Sequence, residues 1–197
     1  MIHADHVALL EGEPDLRQRL GLPLRDTTGR SAPTWADLGS GDGAFTLALA
    51  DLLGPGAEIF AIDRDPSALG RLSMAMRKSF PNTLLHTQTT DFTRPLNLPL
   101  LDGIVMANSL HFLTHPAKTG LLTRLRAYFR PGGQLILVEY NADRGNIWVP
   151  YPLSLASWQK FAAHAGYTQT TRLGGYPSRF MGEIFSTVSL LPAQTAG

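Results

Sequence analysis

Three glycines fall within five positions in the stretch Thr34-Trp35-Ala36-Asp37-Leu38-Gly39-Ser40-Gly41-Asp42-Gly43-Ala44-Phe45. Glycine has no Cβ to obstruct a positive φ or the close approach of a ligand to backbone. A helix opening just after the loop turns its free N–H groups toward the same place. The spacing is not that of the nicotinamide fingerprint: G-x-G-x-x-G needs glycine at position 44, where this chain has Ala44, and Gly43 comes one residue early. Asp37, two residues before the first glycine, supplies a carboxylate that repels a diphosphate and welcomes a cation. Asp63 ends the apolar run from Ala57 to Ile62 and lies 20 residues beyond Gly43. An acid at the tip of a second strand is where a ribose diol is held by its two hydroxyls.

Other chemistries fare worse. Cysteine is absent, which excludes disulfides, thiolate metal sites and thiol nucleophiles. Gly39-Ser40-Gly41 brings its glycines too close to the serine for the Gly-x-Ser-x-Gly elbow of a serine hydrolase. His3 with His6 and His111 with His115 have ligand-like spacings. Phe112, however, stands where a zinc protease needs Glu, and Pro116 disturbs the helix that would carry the second pair. No metal is expected.

These residues need a strand, a tight turn and a helix, then a second strand. Thr34 to Leu38, the glycine loop, the amphipathic run to Leu53 and Ala57 to Ile62 read in that order. Asp-x-Gly-x-Gly-x-Gly followed by a strand and an acid resembles the class I S-adenosylmethionine-dependent methyltransferases. The resemblance implies that the glycine loop holds the methionine part of the cofactor and that Asp63 holds its ribose. It also implies that Asp91 accepts the adenine amino group while Phe92 covers the ring; the alternative is a turn Asp beside a core Phe. The candidate cofactor contacts are then Asp37, Gly39, Ser40, Gly41, Gly43, Asp63, Arg64, Asp91, Phe92 and Asn108.

The remaining elements complete an α/β domain. Asp65-Pro66 starts a helix with Asp as N-cap and Pro at the first helical position, and Leu69, Leu72, Ala75, Met76 and Phe80 form its buried face. Thr83 to Gln88 and Leu100 to Ala107 are the third and fourth strands. A helix follows Pro116, Arg130-Pro131-Gly132-Gly133 turns out of it, and Gln134 to Tyr140 is the fifth strand. After an irregular segment from Asn141 to Pro152, a helix from Leu155 ends at Gly166. Tyr167 to Leu173 and Glu183 to Leu190 alternate apolar and polar residues and read as an antiparallel pair. The family resemblance gives a Rossmann-like sheet of seven mostly parallel strands, ordered 3-2-1-4-5-7-6 with the seventh antiparallel, and helices on both faces.

Length and composition fit one such domain. The chain has 197 residues, 44% hydrophobic and 17% charged, with a net charge of +1. That suits a single globular core. Domain bounds are expected at 34–191, with 1–33 a helical lid or a docking arm carrying candidates around His6 to Glu11 and Asp15 to Leu20, and 192–197 a tail. Met1 to His6 has neither the basic nor the apolar region of a secretory signal, and no segment approaches ~20 apolar residues. A cytoplasmic protein, without membrane or nucleic-acid partner, is expected.

The function implied is methyl transfer to the O, N or C of a small molecule. Trp148 and Tyr151, with Tyr140, wall a compact acceptor pocket, and Arg179 is either an anchor for a substrate carboxylate or the local partner of Glu183. The Asn/Asp-Pro-Pro-aromatic signature of amino-methylating members is absent, which counts against adenine, cytosine or glutamine side-chain amides as acceptors. His111, beyond the end of the fourth strand, is the candidate general base, with Glu139 and Tyr140 behind it; the alternative is that it only caps a turn. The rival functions are a non-catalytic S-adenosylmethionine-binding regulator and a nucleotide-binding Rossmann oxidoreductase.

Overall fold

The computed structural model describes residues 3–12, 32–178 and 180–192. Helix α1 (His3–Glu11) precedes β1 (Thr34–Leu38), α2 (Ala44–Leu53), β2 (Glu58–Asp63), α3 (Pro66–Ser79), β3 (Leu84–Thr89) and β4 (Leu101–Ala107). A 3₁₀ turn at Leu110–Phe112 leads into α4 (His115–Leu125). A second at Arg126–Tyr128 leads into β5 (Phe129–Tyr140), followed by α5 (Leu155–His164), β6 (Thr168–Ser178) and β7 (Gly182–Leu190).

The strands form one sheet in the order β3-β2-β1-β4-β5-β7-β6. β1 to β5 run parallel, and β7 pairs antiparallel with both β5 and β6. The alternation of side chains along each strand divides the core in two. Trp35, Ile59, Val105, Val138 and Val188 face α1, α2 and α3. Ala36, Leu38, Ile62, Met106 and Leu137 face α4 and α5 through Leu121, Leu122, Leu125 and Trp158. β1 is buried along its whole length, as a central parallel strand covered on both faces must be. Gly103 lets Trp35 lie against β4: a Cβ there would meet the indole ring at 2.3 Å.

Two strand bounds differ from the sequence reading. The Arg130 to Gly133 turn lies inside β5, because Phe129 pairs with Leu101 and pairing resumes at Gln134 with Gly103, so the Pro-Gly-Gly segment bulges out between two paired stretches. β6 continues past Leu173 through Gly174, Gly175 and Pro177 to Ser178. It is the edge strand, so Pro177 faces no neighbour on its outer side and costs no ladder bond there.

Helix α3 starts as expected, with Asp65 Oδ1 accepting from the Ser67 N–H at 2.8 Å. The described part of the N-terminal segment, α1, packs on α2 and on β6 and β7, with Leu9 and Leu10 buried. The second helix candidate, Asp15 to Leu20, lies outside the described residues. No helix among the described residues is long and apolar enough to cross a membrane.

Candidate active site

The glycine loop is hooked onto the neighbouring strand before it turns back. The N–H groups of Gly39 and Ser40 both donate to the Ile62 carbonyl, at 2.8 and 3.1 Å. Gly39 has φ +83°, and a Cβ there would meet Ser109 Cβ at 2.6 Å, so glycine lets the loop lie against the end of β4. Gly43, at φ +87°, points the other way: a Cβ would stand 2.1 Å from Leu72 Cδ1. Its role here is to seat α2 against α3, and it is buried away from the cleft described below. Gly41 opens to free space, and its N–H donates to Asp63 Oδ2 at 2.8 Å.

Asp37 sits under this loop, not at an open strand tip. It is 1% exposed, Oδ2 accepts from the Thr46 hydroxyl at 2.6 Å, and Oδ1 has no partner. Burial pushes its carboxyl up to about 7, and the nearby Asp63 charge adds to the rise. Ser40 Oγ and Asn108 Oδ1 are likewise buried without a partner. Asn108 takes φ +50° at the end of β4, a left-handed conformation that asparagine tolerates better than most residues. Three polar atoms at the tips of β1 and β4 are thus desolvated and unpaired, a costly state unless a ligand completes them.

A cleft of about 310 Å³ opens beside these strand ends, lined by Gly39, Asp63, Arg64, Asp91, Phe92 and Asn108 together with Thr93, Ser109, Phe112 and Leu113. It stands at the carboxyl ends of β1 and β4, where the strand order reverses direction, the expected ligand crevice of an open α/β sheet. Asp63 accepts from the Asp65 N–H at 2.9 Å as well as from Gly41. A carboxylate offers about four acceptor sites, so capacity remains for ligand hydroxyls.

Asp91 has the turn geometry of one alternative, with Oδ1 accepting from the Thr93 N–H at 2.8 Å, and also stands in the cleft wall. The hydrogen bonds from Thr93 hold its carboxyl below the usual range. Phe92 is partly buried, packs against the core cluster on the α4 face and also lines the cleft. The turn is held from outside: Arg124 donates to the Thr93 carbonyl, and the Tyr128 hydroxyl bonds both backbone groups of Leu96.

His111 is 3% exposed and locked. Its Nδ1 lies 2.8 Å from Glu139 Oε1, and its backbone N–H donates to Oε2 at 3.1 Å. The Tyr140 N–H donates to Oε1 at 2.8 Å, so a single buried carboxylate ties the turn after β4 to the end of β5. A proton on Nδ1 facing that carboxylate leaves Nε2 as the acceptor nitrogen. Tyr140 is half-buried, and burial raises its phenol above the usual value, with the Glu139 charge adding; both effects move it away from proton exchange near neutral pH.

The segment after β5 folds back over this turn. The Tyr151 N–H donates to the His111 carbonyl at 3.0 Å, and the Tyr151 carbonyl accepts from Lys118, a fully buried side chain of α4. Trp148 is 76% exposed and Phe112 59%. Arg179 lies outside the described residues. Glu183, its alternative partner, is engaged by Arg172 and by Asn141 Nδ2, the latter at 2.8 Å.

The paired histidines take separate partners. His3 approaches Asp51, His6 lies edge-on to Phe45, and His115 rests on Phe161 and Tyr151, while His111 is taken by Glu139. Among the described residues no three His, Asp or Glu side chains group as a metal site.

Sequence reasoning missed Thr93, Ser109, Phe112 and Leu113 in the cleft wall, and Lys118 behind it. Ser109 had a readable signal, being next to Asn108 at the strand end. Lys118 had none, since one lysine on an amphipathic helix reads as surface.

Residues 36–135, half of the chain, match the family described as "Methyltransferase domain". A carboxy-S-adenosyl-L-methionine synthase from Trichlorobacter lovleyi is 32% identical over 108 residues, which cover 52% of this chain and 43% of that one. The chain thus spans less than half the length of that relative. The fold recurs in the N-methyltransferase NodS from Bradyrhizobium japonicum, solved with S-adenosyl-L-homocysteine: the TM-score is 0.66 at 17% identity, covering 96% of this chain and 86% of that one. It recurs also in 1,6-didemethyltoxoflavin-N1-methyltransferase from Burkholderia thailandensis, with a TM-score of 0.67 at 15% identity, covering 96% and 80%.

Proposed function

The chain belongs to the class I S-adenosylmethionine-dependent methyltransferase family, and from that premise we propose that it transfers a methyl group to an O, N or C atom of a small molecule. The observation that carries this reading is the set of buried, unpartnered atoms Asp37 Oδ1, Ser40 Oγ and Asn108 Oδ1 at the ends of β1 and β4, next to the cleft that Gly39 and Asn108 line. A cationic amino-acid group beside Asp37 and polar ligand atoms beside Ser40 and Asn108 would complete them, whereas a diphosphate would meet two acids, Asp37 and Asp63.

The residues present fit S-adenosylmethionine, which when bound supplies an activated methyl on a sulfonium. The glycine loop with Asp37 holds the amino-acid end, Asp63 the ribose, and Asp91 with Phe92 the adenine. Arg64 stands at the rim of the same cleft. What remains for the chain is alignment, exclusion of water and removal of a proton. His111, oriented through Nδ1 by Glu139, takes the proton at Nε2 when the acceptor is a hydroxyl or a protonated amine. Trp148 and Tyr151 receive the acceptor.

Calorimetric titration with S-adenosylmethionine, S-adenosylhomocysteine and NAD tests the cofactor. Heats with the first two and none with NAD are expected; binding of NAD alone would refute the assignment. Transfer of a labelled methyl to a panel of small phenols, amines and carbon acids then tests turnover, and cofactor binding with no transfer to any of them would favour the regulator.

A further inference from the structure

We propose that Lys118 is a positioning residue for the acceptor side of the site: from inside α4 it holds the 141–152 segment through the Tyr151 carbonyl and so fixes Tyr151 and Trp148 beside the His111–Glu139 pair. The proposal rests on the reading of Trp148 and Tyr151 as the acceptor wall.

Lys118 occupies an apolar position of its helix. Leu121, Leu122 and Leu125 bury the same face, three, four and seven residues on, and Lys118 itself is 0% exposed. An apolar side chain would fill that position without desolvating an ammonium, which is among the costlier groups to bury. Desolvation does act on it, pushing the ammonium down to about 8 while the Glu139 charge pulls it up. The charge is directed at a backbone group in another segment: Nζ donates to the Tyr151 carbonyl.

Tyr151 is held on both of its backbone groups. Its carbonyl goes to Lys118 on α4 and its N–H to the His111 carbonyl on the 3₁₀ turn. Glu139 grips the same turn through the His111 N–H and ring. Helix, turn and strand end therefore meet at one residue of the irregular segment. Upstream, Asn146 closes the loop on itself, with Oδ1 accepting from the Trp148 and Val149 N–H groups at 2.8 Å each. Trp148 is flanked by the buried Val149 on one side, and the anchor at Tyr151 ties this loop to α4 and the 3₁₀ turn.

The Lys118→Met variant separates positioning from packing. It removes the ammonium, keeps an apolar stem on α4 and spares every residue assigned to the cofactor, with Lys118→Leu as the second variant should methionine not give folded protein. The full-length protein is compared with each variant by amide hydrogen exchange, thermal unfolding and calorimetry with S-adenosylhomocysteine. Exchange about tenfold faster or more is expected in the 141–152 peptide alone, with the unfolding temperature held or raised and cofactor affinity within about twofold of wild type. Exchange in that peptide equal to wild type, or acceleration spread evenly over the domain, would overturn the clamp. Hydrogen exchange needs no acceptor, so failure of the clamp is distinguishable from failure of the methyl-transfer reading, which appears as absent cofactor heats in the wild type. Once an acceptor is identified, its KM is expected to rise in Lys118→Met with little change in kcat; the reverse pattern would also overturn the proposal.

Discussion

Replacing Asp37 by Asn should flatten the pH dependence of both stability and cofactor binding. The carboxyl is 1% exposed, with one oxygen on Thr46 and the other unpaired. Its folded pKa of about 7 stands above the unfolded value of 3.8, so between these limits the folded protein keeps a proton that the unfolded chain has released. The stabilising contribution is therefore complete below pH 3.8 and is lost as pH rises through about 7. At 1.36 kcal/mol per tenfold, that interval corresponds to about 4 kcal/mol, with no reduction for solvent because the group is buried. Asparagine keeps an acceptor for Thr46 and carries no charge at any pH. Urea unfolding from pH 4 to 8 should show the two proteins similar at the acidic end and the wild type falling behind by about 4 kcal/mol at pH 8. A cation bound beside Asp37 reverses the preference. Wild-type affinity for S-adenosylhomocysteine, which keeps the ammonium, should rise by about tenfold per pH unit up to neutrality and then level off, while Asp37→Asn binds weakly and independently of pH. Parallel stability curves for the two proteins would show that Asp37 is ionised throughout and refute this reasoning.

Three further outcomes are expected. Asp63→Ala should weaken cofactor binding by about 1.5 to 3 kcal/mol in calorimetry, and because Asp63 also receives the Gly41 N–H, exchange of that amide should quicken even without ligand. Gly41→Val and Gly43→Ala both strain a left-handed backbone but should differ in what else they do: the first, whose side chain enters open space, abolishes cofactor binding in a protein that still folds, while the second, driven also against Leu72, costs about 1 to 3 kcal/mol more in urea unfolding. His111→Asn should cut turnover by about 10²- to 10⁴-fold and remove the acidic limb of the pH–rate profile; retained activity with the same profile would leave His111 structural.

The residues proposed for the cofactor could be named from the sequence because they are local. Asp37, the glycines, Asp63 and the Asp91-Phe92 pair each sit at the end of a strand whose pattern is plain, and the strand order came with the family resemblance. What escaped reading depends on long-range contact. Gly43 looks like its neighbours in sequence and differs only because Leu72, from α3, presses on it. Lys118 is buried because the segment after β5 returns over α4, a fold-back that no periodicity announces. The Arg130 to Gly133 segment reads in the sequence as the turn out of the helix, yet it lies within β5 because β4 offers Leu101 and Gly103 to both of its flanks.

The bonds of Glu139 to His111 and Tyr140 partition the mouth of the sheet. In an open α/β sheet the ligand crevice opens where the strand order reverses; here the ends of β4 and β5, on one side of that point, are stitched by one carboxylate, while the gap on the β1 side is open. The two halves of the reaction thereby become modular. The residues proposed to meet the cofactor come before the stitch in the chain, and those proposed to receive the acceptor come from the turn at the stitch and from the segment beyond it. Exchanging residues 141–152 for the corresponding segment of another methyltransferase, with Glu139, His111 and Lys118 kept, would alter what is methylated while the donor compartment stays as built.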